Sequence, residues 1–185
     1  MPAKRESDWV TLHCIHGSLP KQWWKEKSMR LGGLLWGHVE IQIDDKVYGF
    51  EYVDKKNVHI FPRKKSKYNA KFTLKTLAER QTETQDEKIT SVTFSTSSEQ
   101  KYLLTEIYTR YLRCSPYDYA FLGTRCALSA CEILQEVAIL PHRPHWYNVL
   151  LAFSPSLWRK QLCTYAKKHH LLIERQKGSP LKIWE

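Results

Sequence analysis

The chain has 185 residues and carries 29 Lys and Arg against 19 Asp and Glu, which gives a formal net charge of +10. Hydrophobic residues make up 42% of the sequence and aromatic residues 12%, so a disordered chain is excluded and a hydrophobic core is expected. No apolar run approaches the roughly 20 residues that a transmembrane helix requires. The basic excess favours acidic partners such as nucleic acid, anionic lipid or an acidic polymer.

The cysteines are odd in number and show no CxxC pairing, which favours free thiols in a reducing compartment. They are Cys14, Cys114, Cys126, Cys131 and Cys163. The N-terminus has charged residues but no apolar signal segment after them, so we predict a cytoplasmic protein. Because no repeat, low-complexity tract or linker divides the sequence, we predict a single domain over residues 1–185.

Strands are predicted first along the chain, because β-branched and aromatic residues cluster between turn residues. A strand over residues 9–15 is followed by a loop or short helix over 18–33, with Trp23 and Trp24 packed beneath it. A hairpin of strands 38–43 and 46–53, two further strands over 57–61 and 88–95, and a short helix followed by a polar loop over 73–87 complete this half.

Helices are predicted after residue 96. Ser97 and Gln100 form a capping-box signal, an apolar stripe indicates a helix over 124–138, and Ser154-Pro155 begins another helix. This order predicts an α+β protein in which a small antiparallel sheet or half-barrel packs against helices.

His38 lies at the start of the first hairpin strand. If Asp44 and Asp45 are the two turn residues, paired residue numbers sum to 89, and His38 lies directly across from Glu51. A carboxylate at that position could orient the imidazole and raise its basicity. Glu40, two residues along on the same face, is the alternative orienting residue.

Cys126 lies where a Gly-Thr-Arg turn leads into the predicted helix. The helix dipole and the unpaired N–H groups of the first turn favour a thiolate there and could stabilise the oxyanion of a tetrahedral intermediate. Cys131 falls on the apolar stripe, where a thiol usually acts as a small hydrophobic side chain. The sequence therefore indicates Cys126 as a candidate nucleophile and His38 as its candidate base.

Two segments resemble a known superfamily. Gly37–Ile43 followed by Val47–Glu51 is similar to the His-bearing hairpin of circularly permuted papain-like hydrolases. These are the NlpC-type superfamily in which His precedes Cys, with YiiX-like bacterial proteins and the lecithin:retinol acyltransferase group. Tyr117-Asp118-Tyr119, then Gly123–Ala127, then Glu132-Ile133-Leu134 resembles the helix that carries their Cys. The likeness extends over about residues 9 to 140, and its specific part is about twenty positions.

The resemblance implies a permuted papain-like fold and a cysteine peptidase, a thiol protease or a related hydrolase or acyltransferase. Cys126 would be the nucleophile, His38 the general base and Glu51 the third polar group, with the Cys126 backbone N–H in the oxyanion hole. Arg125 stands where many members have Asn, and it could bind an acidic substrate group or be solvated. His16, at the end of the first strand, could also approach the site. The implied substrate has a peptide, amide or lipid ester bond, and neither a metal nor another cofactor is expected.

Two functions of other classes stay open. The exposed-looking run of Arg63, Lys64, Lys65 and Lys67 could make the chain a non-catalytic module for nucleic acid or acidic protein, although no helix-turn-helix, zinc finger or RNP-type strand is present. A partner-binding protein with an inactive site is the other possibility. Trp36, Tyr119, Trp146 and Tyr147 are candidates for lining a groove or for packing in the core.

Overall fold

A computed structural model describes residues 8–17, 37–53 and 59–178, which form six strands and five helices. The strands are β1 (Trp9–Ile15), β2 (His38–Ile43), β3 (Lys46–Tyr52), β4 (Ala70–Thr76), β5 (Ile89–Ser95) and β6 (Leu172–Gln176). The helices are α1 (Leu77–Glu83), α2 (Ser98–Arg113), α3 (Cys126–Glu136), α4 (His145–Leu151) and α5 (Pro155–Lys168). This arrangement confirms the α+β prediction.

The six strands form one antiparallel sheet in the order β4-β3-β2-β1-β5-β6. The β2–β3 hairpin turns at Asp44, whose φ of 55° is a conformation that Asp tolerates, and its pairs include Glu40 with Gly49 and Ile43 with Lys46. The paired numbers sum to 89, so the predicted register is correct. This register gives His38 and Glu51 a common position on one face of the sheet.

The two faces of the sheet differ in chemistry because side chains alternate along each strand. Val39, Ile41 and their neighbours on β1, β3 and β5 are buried against α2, α3 and α5 and form the core. The opposite face carries polar side chains, including a buried ion pair in which Arg80 Nε of α1 lies 3.1 Å from Glu40 Oε2. His38 and Glu51 belong by register to this polar face.

Several predicted boundaries need correction. Residues 70–76 form β4, where we had predicted a helix from residue 73; the helix begins only after Thr76, whose side chain and Glu79 form a capping box. The edge strand β6 was not predicted, because its side chains are mostly exposed and show no periodic pattern. Of the predicted strand 57–61, His59 forms an isolated bridge with Ala120, and residues 57 and 58 lie outside the described residues.

The predicted helix starts at Ser97 and Ser154 are confirmed. Ser97 and Gln100 form both hydrogen bonds of a capping box, and Ser154 caps α5 by accepting from the Leu157 backbone N–H. The predicted loop or helix over 18–33, with Trp23 and Trp24, lies outside the described residues, as does Trp36. Within the described ranges, no helix has the length and apolar character needed to cross a membrane.

Candidate active site

A glycine with an unusual backbone conformation leads into His38. Gly37 has a φ of +80°, and a Cβ there would lie 2.0 Å from the carbonyl oxygen of Ile15. Only glycine fits this left-handed and crowded position without strain. Gly37 therefore lets the chain enter β2 directly beside β1, which fixes where the His38 side chain begins.

A second glycine makes room for the imidazole ring. The position that a Cβ would take at Gly49 of β3 lies 3.4 Å from His38 Nε2 and 2.9 Å from Thr73 Oγ1. A side chain at Gly49 would press on Thr73 and touch the ring. Glycine inside a strand often marks such a close approach, and here it leaves a space over β3 that His38 fills.

Cys126 is the first residue of α3. Arg125 is the N-cap residue and its side chain makes no capping bond, so the first turn is held by packing rather than by a cap. Ala127, Ala130 and Leu134 are buried, and α3 packs mainly on β2. Burial of this apolar stripe against β2 brings the N-terminus of α3 to the strand that carries His38.

Cys126 and His38 ionise as a pair. Burial alone would lower the pKa of the His38 imidazole, but the charge and proximity of the Cys126 sulfur outweigh it and raise the pKa to about 9. Burial also acts to raise the pKa of the Cys126 thiol, yet the His38 charge, Tyr119 and the Val39 backbone N–H together lower it. The two shifts favour a thiolate beside an imidazolium.

The contact between the two groups is one of charge rather than of an aligned hydrogen bond. Both ring nitrogens of His38 are buried, and neither has a partner with the geometry of a directed hydrogen bond. The attraction between imidazolium and thiolate is the largest cause that favours the charged pair, and hydrogen bonding between the two side chains adds to the pKa shifts. Catalytic hydrogen bonds are often poorly aligned before substrate binds, so this geometry is compatible with a base and its nucleophile.

Both candidate orienting carboxylates raise the pKa of His38, and neither is hydrogen-bonded to it. Glu40 is held by Arg80 in the buried ion pair. Glu51 accepts a hydrogen bond from the Thr73 hydroxyl at 3.3 Å and lies 3.9 Å from the Lys75 amine. Glu51 therefore lies near the His38 ring as a neighbouring charge rather than as a bonded orienting group, and its role as the third group of the site stays a prediction.

Tyr119 is a further polar neighbour of the Cys126 sulfur. Its hydroxyl donates to Cys126 Sγ at 3.8 Å. Burial, then the negative charge of Cys126, raise the pKa of Tyr119 well above its usual value, so the hydroxyl keeps its proton and remains a donor. The sequence offered Tyr119 only as an aromatic side chain, because nothing in the pattern indicates that its hydroxyl reaches the cysteine.

The remaining predicted site residues lie as follows. The guanidinium of Arg125 stacks over Phe153 at 4.4 Å and over Phe121 at 5.5 Å, and the residue is buried, so the solvated alternative for Arg125 is wrong. His16 Nε2 lies 2.8 Å from Thr90 Oγ1 of β5. Arg125 is therefore adjacent to the nucleophile through the chain, whereas His16 has a hydrogen-bond partner on the neighbouring strand.

Asp118, from the Tyr-Asp-Tyr segment, organises the loop that precedes the site. Its carboxylate accepts from His59 Nδ1 at 2.6 Å and from the backbone N–H groups of Arg63 and Asn69 at 2.8 and 3.1 Å. Burial opposes ionisation, but these hydrogen bonds lower the pKa of Asp118 below its usual value. Asp118 is thus a structural anion that fixes the loop over residues 59–69 beside residues 118–120.

The reacting pair is closed off from solvent. Cys126 is 2% exposed and His38 1% exposed. A substrate can reach the sulfur only if part of the surrounding chain moves aside. The site thus combines a thiol, an imidazole and a hydroxyl donor in a low-dielectric environment, a set of groups that covalent acyl transfer could use.

The chain was compared with protein-family models, with curated proteins and with solved structures, and none of them matched it. The geometry around Cys126 and His38 is therefore the basis for assigning a function.

Proposed function

We propose that the protein is a thiol hydrolase or acyltransferase that acts on a peptide, amide or lipid ester bond through Cys126 and His38. The observation that carries the proposal is the opposite shift of two pKa values: the thiol is lowered while the imidazole beside it is raised to about 9. Buried thiols without such a partner have raised pKa values. Glu51 completes the proposed site as a charge that favours the imidazolium.

In the acylation half of the proposed reaction, the Cys126 thiolate attacks the carbonyl carbon and a C–S bond forms. Tyr119 and the N-terminal N–H groups of α3 are the donors next to Cys126 that would stabilise the oxyanion. The C–N or C–O bond then breaks, and the His38 imidazolium gives its proton to the leaving amine or alcohol. The products are a thioester on Cys126 and a neutral imidazole.

In the second half, neutral His38 removes a proton from water or from another acceptor, which attacks the thioester carbonyl. The C–S bond breaks, and the acid or the transferred acyl product leaves with the thiolate restored. Water as acceptor gives hydrolysis and any other nucleophile gives transfer. Cys126 and His38 would serve both acceptors in the same way, so the proposal includes both.

A permuted papain-like arrangement is part of the same proposal. It is supported by the order of the two residues, with His on a sheet strand before Cys at a helix start, and by the antiparallel hairpin that carries His38. A cytoplasmic location, expected from the cysteine pattern, remains a prediction.

The test is to trap the acyl-enzyme. The protein is incubated with the activated ester p-nitrophenyl butyrate, and each cysteine-containing peptide is weighed by mass spectrometry. We expect a butyryl adduct on Cys126 that hydroxylamine removes. Cys131→Ala, which changes the other cysteine of α3, should leave the adduct in place, whereas Cys126→Ala should abolish it.

A butyryl adduct on the exposed thiol of Cys114, with none on Cys126, would contradict the proposal. In that case the non-catalytic module becomes the better function. It is favoured by the exposure of every residue from Arg63 to Lys67, and its readout would be salt-dependent binding of nucleic acid by Cys126→Ala protein.

A further inference from the structure

Four large apolar side chains project into solvent next to the candidate active site. Ile60 is 64% exposed, Phe61 66%, Phe121 43% and Leu122 48%. We call these four residues the apolar tip. Single exposed hydrophobic residues are common, but contiguous groups of this kind usually mark an interaction site.

The apolar tip is contiguous because two loops run side by side. The backbone N–H of Phe121 donates to the His59 carbonyl at 2.7 Å, and that of Leu122 donates to the Ile60 carbonyl at 2.8 Å. The parallel bridge between His59 and Ala120 aligns the two segments. The four side chains are thus presented by one small two-stranded backbone unit.

Hydrogen bonds to the Asp118 carboxylate hold this two-stranded unit in place. Asp118 accepts hydrogen bonds from His59 and Arg63 on either side of Ile60 and Phe61. These contacts hold the loop while Ile60, Phe61 and Leu122 stay exposed, and Phe121 in addition contacts the Phe153 ring and the Arg125 guanidinium. An exposed apolar tip on a preformed loop needs little ordering when it meets a partner.

A cationic run follows directly. Arg63, Lys64, Lys65 and Lys67 are exposed, and Lys65–Lys67 form a short 3-10 turn without an acidic residue in it. The whole chain carries a net charge of +10. Apolar side chains with adjacent Lys and Arg are the combination that binds at the interface of an anionic bilayer.

We propose that the apolar tip and the Arg63–Lys67 run together dock the protein on an anionic lipid surface. The tip would enter the headgroup boundary, while the basic side chains pair with lipid phosphates. Nucleic acid explains the charges but leaves the aliphatic Ile60 and Leu122 without a role. An acidic protein would need a matching apolar groove, whereas a bilayer offers apolar and anionic groups together.

Docking in this way would orient the candidate active site. Leu122 lies four residues before Cys126, and the Arg125 guanidinium stacks on Phe121 of the tip. The N-terminus of α3 would therefore face the lipid surface. Binding itself needs no chemistry at Cys126, so the docking proposal stands or falls separately from the proposed acyl transfer.

The experiment measures cosedimentation of the full chain with vesicles of phosphatidylcholine alone or mixed with phosphatidylglycerol. We expect binding to the mixed vesicles that weakens as salt is raised. Phe61→Ser with Leu122→Ser should weaken partition at least about tenfold, because two large apolar groups no longer leave water. Lys64→Glu with Lys65→Glu should weaken it by at least about 30-fold, because two basic charges are lost and two acidic ones are added, and should reduce the salt dependence.

A matched control comes from a second exposed apolar pair. Trp146 and Leu150 of α4 are 65% and 61% exposed but are not followed by a basic run. Trp146→Ser with Leu150→Ser should bind like the wild type. Cys126→Ala should also bind like the wild type, and equal thermal unfolding curves for all variants show that the fold is kept.

Three outcomes would overturn the proposal: no preference for the anionic vesicles, equal loss of binding in the α4 control, or binding that depends on the lysines but not on Phe61 and Leu122. The last outcome, joined with tight binding of single-stranded RNA, would assign the basic run to nucleic acid instead.

Discussion

Helix α3 carries two buried cysteines that differ in ionisation. Cys126 begins the helix beside His38, whereas Cys131 lies about one and a half turns further along, within hydrogen-bonding reach of Gln135 and Asn148. Burial raises the pKa of Cys131 to about 12. The same desolvation acts on Cys126, but the neighbouring imidazole reverses the direction of the shift.

Cys14 of β1 supports the same distinction. Its pKa is raised to about 12, again mainly by burial. Three buried thiols therefore share one penalty, and only the one with an imidazole beside it favours the thiolate. A buried, low-dielectric position does not favour the thiolate unless a positive charge is placed close to the sulfur.

Removing the His38 imidazole should have the largest effect on the pKa difference between Cys126 and Cys131. In His38→Ala, the pKa of Cys126 should rise toward that of Cys131, and the thiolate fraction at neutral pH falls about tenfold for each pKa unit. Butyrylation of Cys126 should fall by roughly 10²- to 10⁴-fold. The thiolate is measured by iodoacetamide labelling of each cysteine, and butyrylation by the adduct on Cys126. Both are quantified by mass spectrometry.

His13→Ala is the matched control for that substitution. His13 is also buried on a central strand, but burial, then the Arg80 charge, lower its pKa to about 4, so it is neutral and contributes no charge. Cys126 should label in this variant as in the wild type. Equal slowing in both variants would show that damage to the sheet, and not loss of the His38 charge, is responsible.

The pH dependence of the labelling rate gives a second test of the pKa difference between Cys126 and Cys131. Labelling of Cys126 should rise as pH passes its lowered pKa and then level off, whereas Cys131 should still be gaining about tenfold per pH unit at about pH 9. Acyl transfer should fall again above about pH 9, where His38 loses the proton that it gives to the leaving group. A Cys126 profile parallel to that of Cys131 would remove the case for an ion pair.

A smaller effect is expected from the Tyr119 hydroxyl. Tyr119→Phe removes the donor to Cys126 Sγ and should lower the labelling rate by about tenfold at neutral pH, the effect of one charge-assisted hydrogen bond of modest strength. Tyr117→Phe, two residues away in the same segment, is the control and should change little. No difference between the two variants would make Tyr119 a packing residue only.

The smallest effect on reactivity is expected from the carboxylates. Glu51→Gln should slow labelling of Cys126 by roughly two- to fivefold, because a partly exposed charge is screened by solvent. Glu40→Gln should instead lower the melting temperature, since it leaves Arg80 buried without its anion. If Glu40→Gln slows labelling more than Glu51→Gln at equal stability, Glu40 is the residue that supports His38.

The hairpin and the helix start could be predicted because local rules govern them. The Asp44-Asp45 turn sets the register, and a Gly-Thr-Arg turn before an apolar stripe places Cys126 at the first position of α3. The roles of Gly49 and Arg80 could not be predicted, since each depends on contacts between residues far apart in sequence. The role of Tyr119 depends on how the irregular segment before α3 turns its hydroxyl toward Cys126, and no sequence pattern indicates that turn. The prediction of a helix from residue 73 is wrong over residues 73–76, which belong to β4, because the side chains of this strand are only partly buried and show no strict alternation.

Burial of the reactive sulfur has a consequence for oxidation. A thiolate with a lowered pKa is the form that peroxide converts to sulfenic acid, but Cys126 is only 2% exposed. The closed resting state should therefore protect the sulfur until the chain around it opens. The rate at which peroxide consumes the Cys126 thiol would then report how often the site opens in the absence of substrate.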